Sequence, residues 1–162
     1  MPRFALQLQA ELDNVTNVRS AGDDFRWYFK LKCGSCGEET ENHQYITILD
    51  EQPLKGGRGH ASLVIKCKLC SRENSIDIIK DSIKPYLLDN SGQFQTIAEF
   101  DCRGVEPLDF EPRLGWTASS SESNAVFEDI DLTEKEWTEY DERANVSVSI
   151  MEVSSQFVKS HK

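Results

Sequence analysis

The sequence has no long apolar run, no segment typical of an export signal and only three histidines. Apolar runs such as those at 63–65 and 125–127 end after three residues, whereas a membrane-spanning helix needs about 20. The first residues alternate in polarity and soon become acidic, unlike the basic and then apolar order of a signal peptide. We therefore expect a soluble protein of the cytoplasm, with access to the nucleus left open, that binds no membrane.

Basic side chains are scarce relative to acidic ones, and the imbalance is confined to the second half of the chain. The 162 residues include 28 acidic and 18 basic side chains, a formal charge of −10. Residues 1–80 contain 11 of each kind, whereas residues 81–162 contain 17 acidic and 7 basic side chains. Because nucleic-acid binding depends on neutralising phosphates, we expect no general nucleic-acid binding. An apolar content of 38% suits one folded domain or two small ones.

Four of the five cysteines form two CxxC pairs, Cys33 with Cys36 and Cys67 with Cys70. Without an export signal, disulfides are disfavoured, and paired CxxC units are typical of a tetrahedral zinc site with four thiolate ligands. Two residues between the cysteines allow one tight turn to aim both sulfurs at the same ion. The spacing therefore predicts one structural Zn²⁺ per chain, bound by all four cysteines.

Other chemistry of these cysteines stays open. A redox-active CxxC is normally single and begins a helix, whereas both pairs here follow strand-like runs. A catalytic zinc needs an open position, and four cysteines close the coordination shell. Thiolate sets also suit labile metal exchange, copper(I) and iron–sulfur clusters. Lysines beside the pairs, at 32, 66 and 68, are expected to offset the thiolate charge.

Alternation of apolar and polar residues predicts a mainly β protein. A change of phase near Ile150 predicts a β-bulge there. Cys102 ends one predicted strand, and we expect it to be a buried thiol of the core. The glycine-rich stretch at 54–60 is predicted to be a flexible hairpin loop. The predicted strands cover residues 4–12, 25–33, 44–49, 61–67, 74–80, 94–102 and 145–153.

A weak internal repeat relates the two halves of the chain. Shifting the sequence by 90 residues places Asn14 opposite Gly104, each where an alternating strand ends in a turn. This shift reveals no echo of the CxxC strands. We predict two related β halves, a zinc-binding half over 1–88 and an acidic half without metal over 93–162, or one compact unit containing both.

The second half carries its strongest helix signal around Thr133. Thr133 and Glu136 have the spacing of a capping box, and acidic residues in the first turn suit the helix dipole. We predict a short acidic helix near 133–142, with Trp137 and Tyr140 on one face. That face is expected either to pack on the sheet or to form, with the surrounding acidic residues, a docking patch for a basic protein partner.

Six blocks spread over nearly the whole chain resemble one known family. They are ALQLQAELDNVTN, DDFRWYFKLKCGSCGE, LKGGRGHASLVIKCKLCSRENSI, EFDCRGVEPLDFEP, EKEWTEYDE and the terminal QFVK. Taken together, they resemble the eukaryotic CXXC-motif-containing zinc-binding proteins. The resemblance implies zinc held by Cys33, Cys36, Cys67 and Cys70, and a β-barrel or sandwich-like fold in two related halves. It implies no reaction.

These observations predict a non-enzymatic protein. Our first hypothesis is a monomeric, zinc-stabilised β scaffold that acts by binding another protein. The alternative is metal handling, in which the thiolate site exchanges Zn²⁺ or Cu⁺ with a partner. A thiol redox or hydrolytic enzyme ranks last, because the sequence offers no recognisable Ser/His/Asp arrangement and no open metal site.

Overall fold

A computed structural model describes residues 3–49, 52–53 and 60–160, which form a mainly β protein. No helix in these ranges is long and apolar enough to cross a membrane. Short 3-10 turns occupy Lys80–Ser82 and Leu88–Asn90. The strands of the described residues are β1 (Arg3–Asp13), β2 (Val15–Ser20), β3 (Trp27–Cys33), β4 (Gln44–Ile46), β5 (Gln52–Pro53), β6 (His60–Ala61), β7 (Leu63–Lys66), β8 (Glu73–Ile79), β9 (Gln95–Arg103), β10 (Val105–Glu111), β11 (Leu114–Ser120), β12 (Val126–Asp131), β13 (Trp137–Asp141) and β14 (Val146–Ser160).

The sheet topology has a pseudo-two-fold symmetry, which confirms the prediction of two related halves. A six-stranded sheet has the order β13-β14-β1-β9-β8-β7, and two three-stranded sheets have the orders β10-β3-β4 and β2-β11-β12. Exchanging β1 with β9, β14 with β8 and β13 with β7 gives the same six-stranded order, read from the opposite edge of the sheet. Exchanging β2 with β10, β3 with β11 and β4 with β12 converts one small sheet into the other.

Strand β3 shows how the sequence alternation positions the first cysteine. Trp27, Phe29 and Leu31 are buried, whereas the residues between them are half-buried. Aromatic and branched side chains favour such a pleated, one-sided arrangement. Because successive side chains of a strand point to opposite faces, the same alternation places Cys33 on the buried face at the end of β3.

The hydrophobic core contains side chains from both halves. The rings of Trp27 and Trp116, one from each half, lie 6.3 Å apart, and Phe100 packs edge-on against Trp27. Cys102 is fully buried in this core, as predicted, and desolvation raises the pKa of its thiol. The division into segments 1–88 and 93–162 stays a prediction.

The predicted acidic helix near 133–142 is wrong. The backbone N–H of Thr133 donates a 2.9 Å hydrogen bond to the Asp131 carboxylate, so this segment begins with a turn. Lys135 has a φ of 64°, in the left-handed region that interrupts an α-helix. The chain then continues as β13, because β14 offers it a complete row of antiparallel backbone partners.

This correction separates two residues that the helix would have placed together. Residues three apart on a strand point to opposite faces. Trp137 is half-buried against the ring of Phe127, with centroids 5.4 Å apart, whereas Tyr140 is 48% exposed. Trp137 and Tyr140 therefore do not form one aromatic surface.

Strands β2, β5, β10, β11 and β12 were not predicted from the sequence. Strand β10 contains Pro107, which cannot donate a backbone hydrogen bond and normally argues against a strand. Since β10 lies at the edge of its sheet, this loss is tolerated. The predicted glycine-rich loop falls mainly on residues 54–59, which lie outside the described residues.

The predicted bulge near residue 150 is confirmed in β14. Gln9 of β1 pairs with Ser154, and Glu11 pairs with Met151, so β14 has one extra residue between these pairs. Glu152 has a left-handed φ of 51° at this point. The extra residue explains why the apolar alternation of β14 changes phase.

Candidate metal centre

The first CxxC pair forms a tight turn at the end of β3. The backbone N–H of Cys33 donates to the Glu38 carbonyl at 2.8 Å, and the N–H of Gly37 donates to the Cys33 carbonyl at 2.8 Å. Gly37 has a φ of 82°, a conformation that glycine adopts without steric cost. These two bonds enclose residues 34–36 in a tight turn at the end of β3.

The second pair, which directly follows β7, forms the same kind of turn. The N–H of Cys67 donates to the Arg72 carbonyl at 2.9 Å, and the N–H of Ser71 donates to the Cys67 carbonyl at 2.9 Å. Ser71 has a φ of 63°, at the position that Gly37 occupies in the first turn. The two turns therefore present their cysteines in equivalent ways.

The structure brings the four predicted cysteines together. Their sulfur atoms all lie within 4.8 Å of one another. The Sγ atoms of Cys33 and Cys70 are 3.7 Å apart, and those of Cys36 and Cys67 are 3.5 Å apart. A tetrahedral zinc with Zn–S bonds of about 2.3 Å requires sulfur–sulfur distances of about 3.8 Å. The donor set and its spacing therefore fit one Zn²⁺ ion.

The four cysteines differ in their access to solvent. Cys33 is buried, Cys67 is half-buried, and Cys36 and Cys70 are exposed. Among the described residues, this is the only group of three or more cysteine, histidine or carboxylate side chains close enough to share a metal. The centre thus has one side against the core and one side open to solvent.

A surface cavity of about 490 Å³ adjoins the cysteines. Lys66 and Lys68 line it, as do the acidic residues Glu38, Glu39 and Glu41. Two of the three lysines expected to offset the thiolate charge therefore line this cavity together with carboxylates, whereas Lys32 is not among its lining residues. The surroundings of the centre carry both signs of charge.

The pKa values of the first pair shift in opposite directions. The backbone N–H of Cys36 and the side-chain amide of Asn74 are the main groups that lower the pKa of Cys33, to about 6. The backbone N–H of Glu38 also lowers the pKa of Cys36, but desolvation and hydrogen bonds to the other thiols outweigh it and raise that pKa to about 12.

Ionisation of the whole cluster also meets an electrostatic limit. Once one sulfur of the cluster is a thiolate, ionising a second sulfur within 4.8 Å places like charges side by side. A divalent cation at the centre removes this repulsion, because it attracts all four thiolates. The arrangement favours a bound cation.

Asn74 of β8 is a functional residue that the sequence reasoning missed. It is 2% exposed, and its side-chain amide donates to the Cys33 sulfur. Such a hydrogen bond stabilises a thiolate and orients it. An asparagine within a strand carries no distinctive sequence signal, so only its position beside Cys33 identifies it.

Comparison with known proteins gives the family. The family model described as CXXC motif containing zinc binding protein, eukaryotic, matches residues 5–158. A mouse relative, named CXXC motif containing zinc binding protein, is 58% identical over 159 residues, which cover 98% of this chain and 99% of the relative.

Solved structures resemble the whole fold. The crystal structure of C1orf123 has a TM-score of 0.94 and 56% identity, covering 98% of this chain and 99% of that one. A hypothetical protein from Plasmodium falciparum has a TM-score of 0.88 at 21% identity, covering 98% and 100% of the two chains, and shares the fold. This chain belongs to the family of eukaryotic CXXC motif containing zinc binding proteins, and its four-cysteine cluster is positioned to hold one zinc ion.

Proposed function

We propose that this protein is a non-enzymatic, monomeric scaffold, stabilised by one zinc ion, which acts in the cytoplasm by binding another protein. The observation that carries the proposal is the convergence of four sulfurs within 4.8 Å of one another. Four thiolates fill the tetrahedral shell of zinc and leave no position for a substrate or an activated water. A closed shell supports a structural role.

The position of the cysteines in the fold explains what the ion would stabilise. Strand β3 belongs to a three-stranded sheet, whereas β7 is the edge strand of the six-stranded sheet. Cys33 ends β3 and Cys67 follows β7, so one ion would connect the two sheets. Residues 34–37 and 68–72 of the turns are exposed and have little apolar packing of their own. The ion supplies the cross-link that packing does not.

Metal analysis combined with thermal unfolding tests the structural role. We expect one equivalent of zinc in the purified protein and a large fall in melting temperature after chelation. Cys36→Ser should lose the metal and show a similar fall. Cys102→Ala, which changes a cysteine outside the cluster, should keep one equivalent of zinc. A metal-free protein with an unchanged melting temperature would contradict the scaffold proposal.

Metal handling is a second candidate function, favoured by the exposure of Cys36 and Cys70. Ligands open to solvent allow an acceptor thiol to attack the metal without unfolding of the chain. Exchange of bound zinc for isotopically labelled zinc measures this directly, and competition with a copper(I) chelator measures the Cu⁺ affinity. Exchange within minutes supports metal handling, whereas exchange over many hours without transfer to an acceptor excludes it.

The surface of β12, β13 and the turn between them is our candidate for binding a basic protein partner. Tyr140 is 48% exposed on this surface. Lysine- or arginine-rich segments would be attracted by its negative charge, in a salt-dependent manner. The exposed acidic residues of this surface are Glu128, Asp129, Asp131, Glu134, Glu136 and Glu139.

Charge-neutralising variants test the partner surface. Partners that copurify with the wild type should be lost from a Glu134→Gln, Glu136→Gln, Tyr140→Ala variant. The control is Glu39→Gln with Glu41→Gln, which removes exposed acidic charge from the first half. Equal recovery of every partner by both folded variants would argue against this surface.

A further inference from the structure

The pseudo-two-fold symmetry assigns a counterpart to the metal centre. Because β3 corresponds to β11 and β7 to β13, the turns after β11 and β13 occupy the equivalent corner of the second half. Counting from the strand ends, Ser120 and Ser123 take the places of Cys33 and Cys36. Asp141 is the last residue of β13, so the strand ends alone place it within one residue of the position that corresponds to Cys67.

Backbone hydrogen bonds support this correspondence at the first turn. The N–H of Cys33 donates to the carbonyl of Glu38, five residues ahead, at 2.8 Å. The N–H of Ser120 likewise donates to the carbonyl of Ala125, five residues ahead, at 2.9 Å. The two turns therefore share this closing bond, whereas the second bond of the CxxC turn, from Gly37 to Cys33, and the left-handed φ of Gly37 have no counterpart at Asn124.

Each first turn is also tied to the opposite half by an equivalent bond. The N–H of Gly34 donates to the Gly104 carbonyl at 2.9 Å, and the N–H of Ser121 donates to the Asn14 carbonyl at 3.0 Å. Gly104 links β9 to β10 with a φ of 76°, and Asn14 links β1 to β2 with a φ of 59°. The two corners therefore share their long-range contacts as well.

The second turns also match. Ser71, four residues after Cys67, has a φ of 63°. Asn145, four residues after Asp141, has a φ of 56°. Since non-glycine residues rarely adopt this left-handed conformation, its occurrence at both positions supports the alignment of Asp141 with Cys67.

The second corner is closed by a carboxylate. Asp141 is 1% exposed, and its Oδ2 accepts hydrogen bonds from the Ser120 hydroxyl at 2.5 Å and the Ser123 hydroxyl at 2.6 Å. Its Oδ1 accepts from the backbone N–H groups of Arg143 at 2.9 Å and Ala144 at 3.2 Å. Hydrogen bonds to a charged acceptor are stronger than neutral ones, and four of them satisfy the buried charge.

We propose that the second half carries a metal-free counterpart of the cysteine centre. In it, the Asp141 carboxylate cross-links the turns after β11 and β13, which are equivalent to the turns that a metal ion would cross-link in the first half. Ser120, Ser123, Asp141 and Ala144 occupy the four ligand positions. In the second corner, one side chain held by four donors stands where four side chains would hold an ion in the first. Only its comparison with the first corner rests on the structural role proposed above for zinc.

Cysteines introduced at the four equivalent positions of the second corner test the correspondence. A variant with Ser120→Cys, Ser123→Cys, Asp141→Cys and Ala144→Cys should bind two equivalents of Co²⁺, with twice the thiolate-to-cobalt absorption of the wild type. A control with only Ser120→Cys and Ser123→Cys should bind one equivalent. If the folded four-cysteine variant also binds one equivalent, the correspondence is wrong.

Hydrogen exchange on the wild-type protein keeps the proposal testable if the four-cysteine variant does not fold. After chelation, the Ser71 amide should lose protection, whereas the Ala144 amide, which donates to Asp141, should stay protected. Exchange of Ala144 as fast as that of Ser71 would overturn the proposal. If neither amide loses protection, the structural role of zinc fails, and substitution of Asp141 by alanine still decides the present proposal.

Substitution of Asp141 should give the opposite exchange pattern to chelation. Asp141→Ala removes the carboxylate that accepts four hydrogen bonds in the second corner. The metal-bound variant should lose protection at Ala144 while it keeps one equivalent of zinc and protection at Ser71. Unchanged exchange at Ala144 would show that the carboxylate does not close the corner.

Discussion

Two corners of this molecule share several backbone hydrogen bonds and left-handed residues but have different cross-links. At the first corner, β3 and β7 end in turns that bring four sulfur atoms within 4.8 Å of one another. At the second, β11 and β13 end in turns that meet on the carboxylate of Asp141. Under the structural role proposed for zinc, the first arrangement requires a cation in addition to the polypeptide, whereas the second is complete within the polypeptide.

The difference is electrostatic. Four thiols within 4.8 Å of one another do not all ionise without a cation, because each new thiolate lies beside like charges. One buried carboxylate surrounded by hydroxyl and N–H donors is stable in its charged form, and these donors hold the pKa of Asp141 below its ordinary value. The comparison shows that one backbone arrangement is compatible with either solution.

The largest effect is expected from matched substitutions at Cys36 and its counterpart Ser123. Cys36→Ala should abolish metal binding and lower the melting temperature strongly, because it removes a ligand of the cross-link between the two sheets. Ser123→Ala removes one of four hydrogen bonds to Asp141 and should cost about 1 kcal/mol. Metal analysis and urea unfolding measure both. Equal losses of stability would contradict the difference expected between the two corners.

The second prediction concerns the left-handed links Gly104 and Asn14. Gly104→Ala should cost about 3 kcal/mol, because a Cβ at a φ of 76° is strained and would collide with the Asn74 side-chain oxygen. Asn14→Gly should change stability by no more than about 1 kcal/mol, since glycine accepts the conformation and one exposed hydrogen bond, to the Ser147 carbonyl, is lost. Urea unfolding of the zinc-bound proteins compares them.

The third prediction uses pH. Hydrogen bonds from Ser120 and Ser123 are the main reason that the pKa of Asp141 lies below its ordinary value of 3.8. A depressed pKa means that this contribution to stability is complete above the ordinary value and is lost as the pH falls through the lower, folded value. Asp141→Asn should therefore reduce the acid dependence of unfolding.

Amide exchange at the Ala144 position, compared at neutral pH and below the ordinary pKa of aspartate, separates this effect from acid-induced release of metal. The thiol groups belong to the other corner and do not contact Ala144. Asp131 also has a lowered pKa, owing mainly to the Thr133 hydroxyl, so some acid dependence remains in the variant. An Asp141→Asn protein with the full acid dependence of the wild type would contradict this prediction.

The smallest effects are expected on β13. Trp137→Ala should cost about 2 kcal/mol, because it removes the half-buried contact with Phe127. Tyr140→Ala should change the free energy of unfolding by less than about 0.5 kcal/mol, because Tyr140 lies on the outer face. Urea unfolding distinguishes the two, and similar costs would contradict their placement on opposite faces.

Much of the first half could be predicted from the sequence. The alternation of residues 25–33 predicted a one-sided strand with Cys33 at its end, and the pattern needs no knowledge of the neighbouring strands. The CxxC spacing predicted the cluster for a similar reason, since the geometry of each pair is set by its own turn. Asn74 was missed because its proximity to Cys33 arises only when β8 and β3, which belong to different sheets, are brought together by the tertiary fold.

The second corner could not have been found by a constant shift of the sequence. Cys33 and Ser120 are 87 residues apart, whereas Cys67 and Asp141 are 74 residues apart. The loop between the two turns is shorter in the second half, so no single offset aligns both. The shift of 90 residues instead aligned Asn14 with Gly104, where both links are left-handed.

The sequence by itself determined the four candidate ligands, because sulfur chemistry and short-range spacing do not depend on the rest of the fold. It also determined the β class and the burial of Cys102, through local alternation. Only the tertiary structure decided that 137–141 is a strand, because the partners that outweigh its helix signal lie on β14. It alone also revealed Asp141 as the counterpart of a metal cross-link, since the donors that satisfy this carboxylate come from two turns that meet only when the sheets pack together.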